Sequence, residues 1–355
     1  MELANLGWSD IFAHSFIPYA AQGYRVGRVA VVHRSQYQLY TEHGDTTAIL
    51  TGKFRHQAQS PEDFPAIGDW VVIRSQLATD QTLIEAVLPR KSQFSRQAAG
   101  THTTAQVVAA NVDTLFLLSG LDQDFNLRRI ERYLVMAWES GASPVIVLNK
   151  ADICQDLDSK IAAVEDIALG VPIIVLSALQ QTNLEALVPY LGLGHTVALL
   201  GSSGVGKSTL TNQLMGAQVQ AVQTVRNDDS KGRHTTTTRT MMRLPSGALL
   251  IDTPGMRELQ LWLAEDSVDE TFADIETLAQ QCRFRDCQHR LEPGCAIQSA
   301  IAAGELSQKR LTSYQKLHKE HAYRQRRQNQ QTQNNSKARW KSITKTIRQK
   351  KNWQG

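Results

Sequence analysis

At 355 residues with 42% apolar content, the chain can bury more than one core and is expected to divide into two or three domains. No run of about 18 apolar residues offers a membrane-spanning helix, and the opening MELANLGWSDIF lacks a basic start before an apolar stretch, so no secretory signal is expected and a cytoplasmic protein is. Net charge is only +4, which by itself excludes neither acidic nor nucleic-acid partners.

Residues 1 to about 22 show no clear element. From Tyr24 to about Arg96 short alternating stretches follow, at Arg25 to Val32, Tyr37 to Tyr40, Thr47 to Leu50, Asp69 to Ile73 and Leu83 to Val87. Turn signals at His43-Gly44-Asp45, Ser60-Pro61 and Ile67-Gly68-Asp69 separate them. About five strands in some seventy residues suit a small oligonucleotide/oligosaccharide-binding (OB) type β-barrel; an SH3-like barrel would give a similar pattern.

After Gly100 buried strands alternate with helices, the pattern of a parallel α/β sheet covered on both faces. Strands are expected at Val112 to Ser119, Pro144 to Asn149, Pro172 to Ser177, Val197 to Leu200 and Ala248 to Asp252. Between the first two, Asn126 to Ser140 places Leu127, Ile130, Tyr133, Leu134, Ala137 and Trp138 on one helical face, and Gly141 reads as a stop.

Four motifs in this half carry chemistry. Asn149-Lys150-Ala151-Asp152 ends a strand: Asp152 can accept from guanine N1–H and the exocyclic amine, Lys150 can cover the base, and Asn149 can brace the loop. Ser177-Ala178 ends another strand and resembles the loop that supports guanine in GTPases. Gly201-Ser202-Ser203-Gly204-Val205-Gly206-Lys207-Ser208, followed by Thr209 on a helix to Met215, fits the phosphate-binding loop. Its backbone N–H groups form a nest for polyphosphate oxygens, Lys207 reaches the outer phosphates and Ser208 ligates magnesium. Finally, Ala248 to Gly255 ends in Asp-x-x-Gly, so Asp252 would hold magnesium through water and the Gly255 N–H would sense the γ-phosphate. GTP is favoured over ATP. Between the last two motifs, the polar segment Arg226 to Arg239 is a candidate switch in which one of Thr235 to Thr238 binds magnesium. The base-recognition pieces precede the phosphate loop, an order that implies circular permutation. Permutation can preserve the site because every piece lies at the carboxyl end of a strand. It also runs the chain from Gly255 almost directly into the next domain, so the γ-phosphate state is expected to move that domain.

Beyond lies Cys282-x4-Cys287-x-His289-x5-Cys295, three thiolates and an imidazole that complete a tetrahedral set for one structural zinc. Cys154 reads as a packing residue. Ile297 to about Gln325 is expected to be helical, offering Lys309, Arg310, Lys316, Lys319 and Arg324 to phosphates. From Ser307 to Gly355, 14 Lys or Arg stand against the single acid Glu320, a local +13 that leaves −9 on the rest. A polyanionic partner, RNA or DNA, is implied. Residues 326–355 are expected to be a disordered basic tail in which Trp340 and Trp353 could stack on bases.

Barrel, permuted GTPase and this metal spacing together resemble the RsgA family of small-subunit-dependent GTPases, over about residues 24 to 320. The implied organisation is an OB-like barrel (1–99), a circularly permuted P-loop α/β GTPase domain (100–264), an α-helical zinc-binding domain (265–325) and the tail (326–355). The resemblance implies a late assembly factor that binds the small ribosomal subunit and its ribosomal RNA, cycles between GTP and GDP with magnesium, and leaves on hydrolysis. It also implies turnover that is slow alone and raised by the subunit. Met256 stands where Ras-like enzymes carry the water-positioning glutamine, which makes His234 the candidate substitute beside Lys207 in catalysis. Two rival readings remain: an RNA-binding scaffold with nucleotide as a structural ligand, and a GTP-dependent metallochaperone, which a closed four-ligand site disfavours. A monomer with no membrane partner is expected.

Overall fold

The computed structural model describes residues 2–76, 81–97, 105–218, 240–252, 271–290, 292–319 and 322. The described residues up to Asp252 form one compact unit and those from Thr271 onward a second.

The first unit opens with a 3-10 turn, Leu3–Leu6, and helix α1, Asp10–Ala20, where the sequence pattern suggested nothing. The signal was aromatic rather than aliphatic. Trp8, Phe12, Phe16 and Tyr19 recur at helical spacing and pack, with Leu6, around the fully buried Trp70. The Trp8 and Trp70 rings meet edge to face at 4.7 Å, a favoured aromatic geometry.

Five strands then close a barrel: β1 (Arg25–Val32), β2 (Tyr37–Thr41), β3 (Gly44–Leu50), β4 (Trp70–Gln76) and β5 (Gln81–Val87). Their order is β1-β2-β3-β5-β4, with β4 returning to β1 and the β3–β5 pair parallel. This closure, with helix α2 (Gly52–Gln57) after β3, fits the OB-fold and settles the choice left open against an SH3-like barrel. Val29, Leu39, Ala48, Val71 and Ile84 fill the interior. A hairpin not anticipated from the sequence follows, β6 (Gln93–Gln97) with β7 (Ala105–Ala110).

The α/β part supplies β8 (Thr114–Gly120), helix α3 (Leu127–Ser140), β9 (Ser143–Asn149), helix α4 (Leu157–Glu165), β10 (Ile173–Val175), β11 (Thr196–Gly201), helix α5 (Lys207–Met215), β12 (Thr240–Arg243) and β13 (Leu249–Asp252). Parallel strands run in the order β10-β9-β8-β11-β13, and β12 lies antiparallel at the edge. Every residue of β8 and β11 is buried, which explains their unbroken apolar runs. In α3, Asn126 caps the Arg129 N–H and Gly141 terminates the helix with φ 80°. Ile130, Leu134 and Ala137 are buried as expected, whereas Tyr133 and Trp138 are half-buried. Glu131 is buried too, paired with Arg128.

Barrel and α/β sheet are joined by backbone, since Val31 of β1 pairs with Thr240 of β12. Tyr40 donates to the Met241 carbonyl at 2.9 Å, and Arg243 lies over the Tyr40 ring at 3.7 Å while pairing with Asp45. Deeper in, the 1% exposed Arg28 donates to the carbonyls of Leu6, Gly68 and Asn111. It thus ties the N-terminal turn, the barrel and the start of the α/β sheet together. Burial pulls its pKa down to about 10 against the opposing fields of Asp113 and Asp69, so it stays charged at neutral pH.

Among the described residues, the second unit includes the helices Ala273–Ala279, Ala296–Ala303 and 308–319. The single helix expected over Ile297 to Gln325 is therefore broken. Gly304 takes φ 79° and its N–H reaches back to Ile301, while the Ser307 hydroxyl accepts from the Arg310 N–H and starts the next helix. Arg310, expected to be available to phosphates, is only 5% exposed and donates both Nε and Nη2 to Asp274 at 2.7 Å. Lys309, Lys316 and Lys319 are exposed. Arg324, Trp340 and Trp353 lie outside the described residues. Among those described, no helix is long and apolar enough to cross a membrane.

Replacing Arg28 with Met keeps the stem and strands the buried carbonyls of Leu6 and Asn111, while that of Gly68 keeps a bond from Asn111 Nδ2 at 3.0 Å. A loss of about 2 kcal/mol is expected, from roughly 1 kcal/mol or more per unsatisfied group. A denaturant midpoint equal to wild type would contradict the reading of Arg28 as the knot.

Candidate nucleotide site and metal centre

The carboxyl ends of β8, β9, β11 and β13 converge on one edge of the sheet, the position where open α/β folds bind ligands. Gly120, Asn149, Gly201 and Asp252 are the respective strand ends.

Between β11 and α5 the glycines have geometric causes. A Cβ on Gly201 would stand 2.7 Å from the Leu118 carbonyl of the neighbouring strand. Gly206 has φ 103°, and a Cβ there would lie 2.2 Å from Asn149 Nδ2. No side chain fits in that gap. Lys207 folds back across the loop, its Nζ donating to the Gly201 carbonyl at 2.7 Å and to Ser202 at 2.5 Å. Ser208 and Thr209 occupy the first turn of α5 and are half-buried; Ser203 and Gly204 are exposed and Val205 is buried beneath the loop.

Asn149 is 2% exposed and uses both ends of its amide. Nδ2 donates to the Val205 carbonyl at 2.8 Å and Oδ1 accepts from the Ala178 N–H at 2.9 Å. One side chain thus fixes the phosphate loop to the Ser177-Ala178 loop. Ala151 N–H adds a bond to the Leu176 carbonyl at 3.2 Å, and Ser177, 1% exposed, accepts from Gln180 N–H. Lys150 takes a left-handed φ of 68°, which turns the chain at the end of β9, and Asp152 follows, exposed. At the end of β13, half-buried Asp252 pairs with Thr240 of β12. Gly255, His234 and Thr235 to Thr238 lie outside the described residues.

Two carboxylates escaped the sequence reading. Asp122 pairs with Lys150 at 2.6 Å, and Asp124 pairs with Arg129 at 2.6 Å and accepts a short hydrogen bond from Ser202 of the phosphate loop. The available signal was their position, just beyond buried β8 at the ligand edge of the sheet. Burial alone would raise Asp122, but hydrogen bonds from Lys150 and the Asp124 N–H outweigh it and hold the carboxyl below its usual range.

In the second unit Cys282, Cys287, His289 and Cys295 bring their donor atoms within 4.8 Å of one another. His289 Nδ1 lies 3.6 Å from both Cys282 Sγ and Cys295 Sγ, which are 3.9 Å apart. A tetrahedral ion bound at about 2.3 Å would set its ligands about 3.8 Å apart, so the four residues fit a metal ion. His289 takes a left-handed φ of 56°, and its carbonyl is held by Gln298 Nε2 at 2.7 Å. Cys295 caps the helix Ala296–Ala303, its sulfur accepting from the Gln298 N–H at 3.5 Å. Without a cation, burial and the neighbouring Cys295 and Cys282 thiols push the Cys287 thiol up to about 11, against a backbone hydrogen bond from His289. Cys154 is not one of the four. Its sulfur lies 3.7 Å from both Asp156 and Lys160.

Because the thiols must ionise to bind a metal ion, loading is expected to release protons and affinity to fall as pH drops. Chelator competition between pH 8 and pH 6 measures this. A pH-independent affinity would contradict a thiolate donor set.

The RsgA GTPase family model matches residues 87–262. The chain is 50% identical over 301 residues to the protein named small ribosomal subunit biogenesis GTPase RsgA 2 of Lactiplantibacillus plantarum, covering 85% of this chain and 84% of that one. It is 47% identical over 352 residues to small ribosomal subunit biogenesis GTPase RsgA of Opitutus terrae, covering 97% and 96%. Among solved structures, YjeQ from Thermotoga maritima superposes with a TM-score of 0.64 at 29% identity, over 84% of this chain and 99% of its own. YloQ, a circularly permuted GTPase, shares the fold with a TM-score of 0.61 at 24% identity, over 85% and 96%.

Proposed function

Because the chain belongs to the RsgA GTPase family, we propose that it binds the small ribosomal subunit through ribosomal RNA and is released when GTP is hydrolysed. The protein is a GTP hydrolase of small-subunit assembly. The observation that carries the site assignment is the Asn149 amide, which joins the phosphate loop to the base loop in one hydrogen-bonded unit.

In this reading Asp152 accepts from the guanine edge, Lys150 covers the base, and Ala151, Ser177 and Ala178 line its rim. The amides of 201–209 and the Lys207 ammonium stabilise charge on the phosphates, and catalysis is positioning plus electrostatics, with no covalent intermediate. Ser208 and Asp252 would hold magnesium, which neutralises charge on the phosphates when bound. From the sequence alone, the Gly255 N–H senses the γ-phosphate, one of Thr235 to Thr238 adds a ligand, and His234 orients water in place of the glutamine that Met256 replaces.

The Cys282, Cys287, His289, Cys295 set is assigned to structural zinc, because four protein ligands leave no position for a reacting water. We retain the division into barrel (1–99), GTPase (100–264), zinc module (265–325) and basic tail (326–355), with the outer parts contacting RNA. A cytoplasmic monomer completes the reading.

The test is GTP hydrolysis alone and with small subunits, large subunits or total transfer RNA, with Lys207→Ala as the blank. Turnover that is slow alone and raised at least tenfold by small subunits only is expected. Negligible turnover in every mixture would favour an RNA-binding scaffold with nucleotide as a structural ligand. For the water-orienting role, His234→Ala should abolish most of the stimulated rate, and full retention would exclude it. Chelation at neutral pH is expected to unfold the second unit, since structural zinc contributes on the order of 10 kcal/mol, while leaving nucleotide binding by the first intact.

A further inference from the structure

The loop between β8 and α3 touches both nucleotide motifs, although none of its residues belongs to either. It leaves the sheet in register with the guanine motif, because the Leu121 N–H donates to the Asn149 carbonyl at 2.8 Å and extends the β8–β9 pairing past the strand ends. The Leu121 carbonyl in turn accepts from Lys160 Nζ at 2.9 Å. Asp122 is thereby set opposite Lys150. One of its oxygens accepts from Lys150 Nζ at 2.6 Å and the other from the Asp124 N–H at 3.0 Å. The carboxylate lies against Gly120, where a Cβ would come within 2.6 Å of Asp122 Oδ1. On the other side Asp124 accepts from Ser202 of the phosphate loop and is anchored by Arg129 on the first turn of α3.

We propose that Asp122 is a positioning residue for purine recognition, which fixes the Lys150 ammonium so that the lysine stem forms a preset cover over the base. The inference rests on the guanine reading of residues 149–152. A free lysine has much rotamer freedom to lose on stacking, and the ion pair removes part of that loss before the nucleotide arrives. With side chains 21% and 25% exposed, the pair is half-shielded and less screened than a surface ion pair. Asp124 gives the loop its second foot on the phosphate loop. The base cover and the phosphate cradle are therefore held by one rigid segment, in addition to Asn149.

The cover acts on the purine face, whereas Asp152 reads the edge, and this separates the two roles. Affinities for fluorescent GDP and for the inosine analogue, which lacks the exocyclic amine, would be measured for wild type, Asp122→Asn, Lys150→Met and the double variant in the full-length protein. Each single substitution is expected to weaken both nucleotides by roughly tenfold, as for one side chain no longer preset, leaving their ratio unchanged. The double variant should match the single ones, because both remove the same ion pair that presets the cover, and Asp122→Glu should recover most of the loss. Asp122→Asn binding within twofold of wild type, or additive losses in the double variant, would overturn the proposal. An Asp122→Asn protein whose melting temperature without nucleotide falls well below wild type, with no recovery by Asp122→Glu, would also count against it. Wild-type protein that does not prefer GDP over ADP would instead sink the guanine reading itself.

Discussion

The site depends on a single buried amide. Asn149 satisfies the Val205 carbonyl and the Ala178 N–H at once, two backbone groups that would otherwise be buried without partners near the ligand edge. The constraint extends to sequence: Gly206 has no room for a Cβ because Asn149 Nδ2 approaches so closely. The glycine of the phosphate motif and the asparagine of the guanine motif are therefore one packing solution, although 57 positions separate them in the chain.

That solution explains why the motif order can change without loss of the site. In a parallel sheet the strand ends form a row whose spacing is set by hydrogen-bonded registers, and β8, β9, β11 and β13 keep that row whichever strand comes first. Permutation changes what is attached where. Here the strand before Asp252 in the hairpin, β12, lies at the sheet edge, and its exposed side is taken by β1 of the barrel. Edge pairing removes a row of free backbone groups, and it makes the barrel a neighbour of the strand that follows the threonine-rich segment. Arg28 reinforces the join from within.

Much of this was legible in the sequence. Strand β1 was read at its observed bounds, because alternation and flanking turns coincide there, and the buried strands β8, β9 and β11 were visible as continuous apolar runs. The phosphate loop, guanine motif and Cys3His spacing were legible because each is set by local geometry. Other features depend on tertiary contacts and were not. Helix α1 is held by aromatics packing on Trp70 from a distant strand, and its periodicity is weak in aliphatic terms. Arg310 looks like any other basic residue of the C-terminal region until Asp274 and Phe272 enclose it. Gly304 looks tolerable in a helix until its left-handed backbone breaks one. Asp122 and Asp124 follow no motif, and only the folded edge of the sheet brings them to Lys150 and Ser202.

The central claim is that the loop braced by Asn149 presents Asp152 to a guanine edge. Exposed Asp152 would accept from the N1–H and exocyclic amine, and an asparagine there would instead donate to a base carrying an oxygen in place of that amine. The direct measurement is competition between GTP and xanthosine triphosphate for wild type and Asp152→Asn. A reversal of preference, with total affinity for the favoured nucleotide kept within about tenfold (about 1.4 kcal/mol), is the predicted result. Unchanged preference for GTP in Asp152→Asn would contradict the account, since the base would then be read elsewhere.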